Sequence, residues 1–268
     1  MNPRLHVILA ILISLSSARP TMADDPPKVT ELPLIAKQSL SFASQHVQGL
    51  AVSAEHYWIS SVDRGAKRGL VFRVERSTGN VTAQRELSFG AQFHPGGIDV
   101  VDGALWVPVA EYRPRSSTTI AKLDPTTLET LASFTIDDHI GCLTVVAPDE
   151  IVAANWDART FYRLSLIGKR LGESANPRAA AYQDLKTDGD LILASGTEKR
   201  PGMSPVPVVD RLNATTLALV SRWQPQGTLQ TGGSNFCREG CALFRGEIYL
   251  MPEDGPHTTI YRFAKPRD

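Results

Sequence analysis

Apolar residues along this chain come in short runs of Val, Ile, Leu, Tyr and Trp, broken by Asp-Gly, Thr-Gly, Pro and Asn, and helical periodicity is weak throughout. That pattern predicts short strands joined by turns. A strand–turn–strand unit recurs: GLAVSAEHYWIS from Gly49, GIDVVDGALWVP from Gly97, CLTVVAPDEIVAA from Cys142, DLKTDGDLILAS from Asp184 and GCALFRGEIYLMP from Gly240. A second signature follows each in step: FRVERSTGNV from Phe72, AKLDPTTLET from Ala121, YRLSLIGKRL from Tyr162, DRLNATTLAL from Asp210 and YRFAKP from Tyr261. Its middle residues, Val74, Leu123, Leu164, Leu212 and Phe263, are spaced 49, 41, 48 and 51 apart.

Two signatures repeating together predict five four-stranded units of nearly equal length. One such sheet cannot bury both faces alone, but five arranged radially bury each other's. The expected fold is therefore all-β, a five-bladed β-propeller. A two-sheet sandwich would hold as many strands but would not explain the matched repeats. The fifth unit runs out near Pro266 after three strands, and a spare strand lies in VTELPLIAKQSLSF, residues 29–42. That segment is expected to complete the last blade.

The first residues change the picture of compartment. Arg4, an apolar run from His6 to Leu15 and the small-residue site Thr21-Met22-Ala23 have the form of a secretory signal peptide, residues 1–23. The apolar run is shorter than the ~20 residues a spanning helix needs. The expectation is a secreted or periplasmic protein without a membrane span, residues 24–268 forming a single propeller domain. Formal net charge is zero and basic residues do not cluster, which excludes nucleic acid as an expected partner. A monomer with a small-molecule ligand is expected.

Candidate chemistry comes from register. Four positions before each unit's opening apolar residue stand His46, His94, His139, Ala181 and Cys237. In a propeller these positions converge on one mouth of the central channel. Three neutral imidazoles with an open position resemble a hydrolytic zinc site, so His46, His94 and His139 are candidate ligands of a divalent metal. They could equally bind an organic ligand, serve as acid and base near neutral pH, or merely cap their loops. Two positions before the apolar residue lie Gln48, Gly96, Gly141, Gln183 and Glu239. The loops after the second strands add Asp63 and Arg64, Glu111 and Arg113, Asn155 and Asp157, Glu198 and Lys199, and Glu253 and Asp254. The candidate ligand-binding set is His46, Gln48, His94, His139, Gln183, Glu239, Glu111, Asn155, Asp157 and Glu253. His257 is a further candidate for the mouth, and His56 falls on the opposite side.

Cysteines number three. Cys237 and Cys241 would be ~13 Å apart along an extended strand, too far to bridge, but a compact CREGC loop would allow a disulfide. Export favours that bridge, with Cys142 a buried free thiol. The alternative makes Cys237 a ligand beside the histidines. There is no GxSxG elbow, P-loop, GxGxxG, HExxH or CxxC in the chain.

The stretch HVQGLAVSAEHYWISSVDRG, residues 46–65, resembles the first blade of the plant-type glutamine cyclotransferases, secreted five-bladed propellers. In that family a Thr-Gln-Gly-Leu run starts the first inner strand, which Gln48-Gly49-Leu50 matches. A Tyr-Glu-Ser-Thr run ends the next strand, and here Ile59 stands in place of its acidic residue. The family's Gly-Trp-Gly-Leu run has no counterpart; GCL at 141–143 lies nearest. The chain also looks like uncharacterised exported bacterial propellers. The resemblance implies the fold more than the activity. Three functions stay open: binding of a small polar ligand or metal at the channel mouth, a propeller enzyme working by metal-assisted hydrolysis or elimination or by cyclotransfer, and a protein-interaction scaffold. Trp156, Trp223 and Tyr112 are few for the last.

Overall fold

In the computed structural model, residues 28–147, 149–226, 236–252 and 258–266 are described. They form five antiparallel blades with no α-helix among them. Blade 1 holds β3 (His46–Val52), β4 (His56–Asp63), β5 (Arg68–Glu75) and β6 (Val81–Glu86). Blade 2 has an inner strand split into β7 (Gln92–Pro95) and β8 (Asp99–Val101), then β9 (Ala104–Glu111), β10 (Thr118–Leu123) and β11 (Thr130–Ile136). Blade 3 holds β12 (Ile140–Ala147), β13 (Glu150–Asn155), β14 (Thr160–Ser165) and β15 (Arg170–Ala175). Blade 4 holds β16 (Ala180–Asp188), β17 (Leu191–Glu198), β18 (Val206–Asn213) and β19 (Leu219–Pro225). Blade 5 holds β20 (Gly240–Phe244), β21 (Glu247–Met251) and β22 (Thr259–Ala264).

Burial is high in the inner and middle strands and falls at the outer strand of the blades. The second strand of blade 2 is buried at seven successive positions, whereas outer strand β6 alternates between half-buried and exposed and β15 is almost wholly exposed. A middle strand lies between two neighbouring sheets, so both of its faces must be apolar. An outer strand meets solvent on one side.

Five apolar clusters follow, one at each blade junction. Trp58 and Val71 of blade 1 pack with Leu105 and Leu123 of blade 2. Trp106 and Ile120 pack with Leu143 and Leu164 of blade 3. Val152 and Phe161 pack with Leu185 and Leu212 of blade 4. Leu193 and Trp223 pack with Ile248 and Phe263 of blade 5. Ala242 and Tyr249 return to Leu50 and Ile59 of blade 1. The last contact closes the ring.

The spare N-terminal strand does more than the repeat predicts. β2 (Leu34–Ser39) pairs antiparallel with β22 and completes blade 5 as expected. The residues before it form a separate strand, β1 (Val29–Leu32), which pairs parallel with β19 at the outer edge of blade 4. Leu32 is fully buried in the blade 4–blade 5 cluster. The amino-terminal segment thus ties two blades together, and Pro33 sits at the step between them.

The Pro-Gly-Gly turn after His94 has a steric cause. A Cβ on Gly96 would meet the carbonyl oxygen of Gly141 at 2.0 Å, and one on Gly97 would meet that of Gln183 at 2.4 Å. The Gly97 N–H donates to the Gly141 carbonyl at 2.8 Å. Three blades touch backbone to backbone here, and only glycine admits that approach.

Candidate functional site

The inner strands bring the register-predicted residues to one cavity of about 100 Å³, lined by His46, Gln48, His94, His139, Asn155, Asp157, Gln183 and Glu239 together with Gly141. Arg64, Tyr112, Trp156, Tyr182 and Arg238 complete the wall.

One candidate is turned away from this cavity. Glu111 is drawn away by Arg113, whose Nε donates to it at 2.9 Å, and by the Ser117 hydroxyl. The Arg113 guanidinium holds its carboxyl below the usual range. Glu253, with Asp254 and His257, falls outside the described residues. Among the other loop charges, Asp63 pairs with Arg68 at 3.0 Å and Glu198 with Arg222 at 2.6 Å. His56 lies beside the Trp58 ring, 5.9 Å between centroids.

His94 and His139 are adjacent and buried, at 7% and 2% exposure. His94 Nδ1 lies 3.3 Å from His139 Nε2, and His139 Nδ1 lies 3.0 Å from the Arg113 carbonyl oxygen. A carbonyl only accepts, so His139 Nδ1 carries the hydrogen and its Nε2 holds a lone pair. His94 Nδ1 must then be the donor to that lone pair. Among the described residues His94 Nε2 is left without a partner, as an acceptor. Electrostatics agree with two neutral rings. Burial, then the charges of His139, His46 and Arg64, push His94 well below its ordinary value of 6.5. Burial also lowers His139, against the opposing pull of the Arg113 carbonyl.

Aromatic rings surround this pair. Tyr112 meets His94 edge-on at 4.4 Å between centroids, and Trp156 meets His139 edge-on at 4.6 Å. The Arg64 guanidinium lies 5.8 Å from the Tyr112 ring centroid. Asp157 and Ala158, which follow Trp156, both have positive φ, at 58° and 49°. That left-handed pair is strained for non-glycine residues. It turns the chain sharply just after Trp156. Tyr112 and Trp156 therefore belong to the cavity, and Trp223 is buried between blades 4 and 5. The three aromatics do not make a docking face.

The metal-ligand reading finds two nitrogens side by side, not three. Among the described residues no group of three or more His, Cys, Asp or Glu is placed to hold a metal ion. His46 lines the same cavity without closing a triad. Two imidazoles supply half of a tetrahedral zinc site.

The cysteines correct the disulfide expectation. Cys142, Cys237 and Cys241 are all buried free thiols. Cys241 is committed to β20, opposite Leu250, and both it and Cys237 pack among Phe236, Leu250 and Tyr261 in the blade 4–blade 5 cluster. Burial pushes all three thiols up. Cys237 is therefore neither bridged nor a ligand at the mouth.

One layer deeper along the inner strands lies a polar cluster not anticipated from the repeats. Asp184 of blade 4 accepts the backbone N–H groups of Leu50 at 3.0 Å and Cys241 at 2.9 Å and pairs with Lys186. Lys186 Nζ donates to the Ile98 carbonyl at 2.6 Å. Asp99 of blade 2 accepts the Thr144 hydroxyl of blade 3 at 2.5 Å. Lys186 feels both carboxylates: burial lowers it, but Asp184 and Asp99 outweigh burial and hold it charged. All five blades meet at this cluster. The signal was present as DLKTDG, an acid and a lysine within an inner strand, but charges beside a turn read as solvated.

A family described as "Family of unknown function (DUF6454)" matches residues 12–181, more than half of the chain. The chain belongs to that family. Among solved structures, this DUF6454 chain is similar to glutaminyl cyclase from Myxococcus xanthus, with a TM-score of 0.65 and 12% identity, covering 90% of this chain and all of that one. It is also similar to a protein of unknown function from Bacteroides caccae, with a TM-score of 0.50 and 12% identity, over 78% of this chain and 71% of that one. No match to a curated protein was found. At these identities the likeness is one of fold. The described residues include no helix long and apolar enough to cross a membrane.

Proposed function

We propose that this protein, exported through residues 1–23 with residues 24–268 as one propeller domain, binds a small polar ligand at the channel mouth. His94 Nε2 is the acceptor for a proton-bearing group of that ligand. The observation that carries the reading is the hydrogen-bond chain from His94 through His139 to the Arg113 carbonyl, which spends every other imidazole nitrogen of the pair. A neutral, oriented acceptor walled by Tyr112 and Trp156 is the form of a small-molecule site: an apolar surround with a few placed polar groups. Arg64, Arg238, Glu239 and Asp157 supply both charge signs at its rim, which suits a ligand carrying polar groups at both ends.

A second reading is favoured by the same nitrogen. A neutral imidazole held by a second group is also a general base, so turnover of a bound substrate is chemically available. Cyclotransfer of the glutaminyl cyclase kind lacks one support. Ile59, which stands where the resembling family has an acid, is fully buried between blades 1 and 5. Binding therefore stands ahead of cyclisation.

The test is a thermal-shift and calorimetric screen of amino acids, short glutamine-led peptides, dicarboxylates and monosaccharides, with zinc and nickel in separate arms. The reading predicts a compound that binds wild type and loses at least tenfold in affinity to His94→Gln or Trp156→Ala. Binding that is indifferent to both substitutions would place the ligand elsewhere. Stoichiometric zinc lost in His94→Gln would replace an organic ligand with a metal.

A further inference from the structure

Two of the blade junctions are fastened by the same contact, and the ring-closing junction lacks it. A basic residue, Arg73, Lys122, Arg163, Arg211 or Arg262, precedes the central apolar residue of each third strand. In blade 1, Arg73 donates to the Thr126 carbonyl in the outer turn of blade 2. In blade 3, Arg163 donates to the Thr215 carbonyl in the matching turn of blade 4, at 2.6 Å. These turns are equivalent. Thr127 bonds back to Asp124 at 3.2 Å and Thr216 to Asn213 at 3.0 Å, just as Thr78 bonds back to Glu75 at 2.6 Å in blade 1. The ring-closing junction should therefore place Arg262 of blade 5 against the carbonyls of Arg76 and Ser77.

That contact is replaced by a cavity of about 380 Å³, lined by Lys37, Gln38, Tyr57, Arg76, Ser77, Tyr249 and Arg262 among others. The cause is Arg76, which stands where the other turns have Pro125 and Ala214. Its guanidinium donates to the Ser53 carbonyl of its own blade at 2.7 Å and to the Tyr249 hydroxyl of blade 5 at 2.8 Å. It lies 5.6 Å from the Tyr57 ring centroid and 5.3 Å from that of Tyr249. All of these partners are neutral. Among the described residues Arg262 Nε is buried without a hydrogen bond and has a single ion pair, with Glu247 at 3.5 Å. Glu247 is itself engaged by the Tyr249 hydroxyl at 2.7 Å. Lys37 of β2 turns its ammonium the other way, over the Tyr261 ring at 5.1 Å from the centroid, and among the described residues no carboxylate lines the cavity.

We infer that this cavity, at the blade 5–blade 1 junction on the face opposite the histidine mouth, is a second ligand site that takes a small oxyanion, a carboxylate or a phosphate. Two guanidiniums that would otherwise repel are bridged by such a group, because the guanidinium fork matches its oxygens. The volume lies in the range of small-molecule sites. The site is independent of the channel mouth and of its ligand.

The probes are inorganic phosphate and succinate, titrated separately into wild-type protein by calorimetry and by amide chemical-shift mapping at low salt. The expected result is a Kd below about 1 mM for at least one of them, with shifts at Arg76, Ser77 and Arg262 and none at His94 or His139. The anion that binds distinguishes a tetrahedral from a planar group. Arg262→Gln is expected to weaken binding about tenfold, and so is Ser77→Glu, which sets a like charge in the cavity wall; the latter alters an exposed side chain in a turn and leaves the fold intact. Rising salt should weaken binding further. No binding of either anion up to about 10 mM, at which even a 1 mM site is mostly filled, would overturn the inference. So would an affinity unchanged in both variants, or shifts confined to the histidine mouth.

Discussion

The propeller axis carries two polar clusters one layer apart, and they are wired differently. At the centre, the Asp184 and Lys186 charges face each other, and their remaining bonds go to backbone groups of Leu50, Cys241 and Ile98. At the mouth, His139 is saturated but His94 keeps one acceptor unspent, facing aromatic rings. A buried polar group with all its partners in the chain is architecture; one with a partner missing is a place for something else. Both clusters were built from inner-strand positions, so location alone does not separate them. The census of hydrogen bonds does.

The largest expected effect lies at the centre. Asp184→Ala strands a buried ammonium and should cost about 3–5 kcal/mol in urea unfolding. The paired change Asp184→Asn with Lys186→Met should recover much of that loss, because an apolar or neutral replacement of a buried ion pair removes the desolvation cost along with the attraction. A double variant as unstable as the single would mean that the carboxylate's bonds to Leu50 and Cys241, not the charge pair, hold the blades together. At the mouth, His94→Gln should cost only about 1 kcal/mol, the net worth of one hydrogen bond, while weakening ligand binding at least tenfold. A stability loss there equal to that of Asp184→Ala would erase the distinction between the two clusters.

The smallest effect is in pH dependence, and its sign separates the clusters. His94 has a folded pKa below its ordinary 6.5. The unfolded chain therefore binds more protons in that window, and the ring's contribution, complete above 6.5, is lost as pH falls. Burial pushes the Asp184 carboxyl up to about 7 from 3.8, against the pull of Lys186. Its contribution runs the other way, complete below 3.8 and lost as pH rises through 7. The stability difference between wild type and His94→Gln should therefore shrink on acidification from pH 7 to pH 5. A difference that is flat with pH would mean that His94 titrates alike in both states.

The fold was legible because the repeat is written twice in each unit. Phase-matched apolar residues such as Leu50 and Val74 can be satisfied together only by packing each sheet between two others. The mouth was legible for the same reason: equal register places His46, His94 and His139 on one rim. Register does not give side-chain direction, which is why three histidines resolved into an adjacent pair and a neighbour. Tyr112 and Trp156 went unassigned to the cavity because their strand-end positions carry no periodic mark, and the backbone turn at Asp157 is visible only in φ. Glu111 was misplaced by a local rival: Arg113, two residues on, offers it a closer charge than the cavity does. Cys237 and Cys241 suggested a bridge by spacing, yet the strand that begins at Gly240 leaves them as thiols. Asp184 and Lys186 were hidden because a charge at the axis of a propeller looks, in sequence, like a charge in a turn.

The most direct measurement is a long-range proton–nitrogen correlation spectrum of the imidazole rings, recorded from pH 5 to pH 8. The account predicts that His94 carries its hydrogen on Nδ1, with Nε2 unprotonated at neutral pH and titrating well below 6.5. A His94 ring protonated on Nε2, or one that titrates at its ordinary value, would contradict the open acceptor on which the proposed binding site rests.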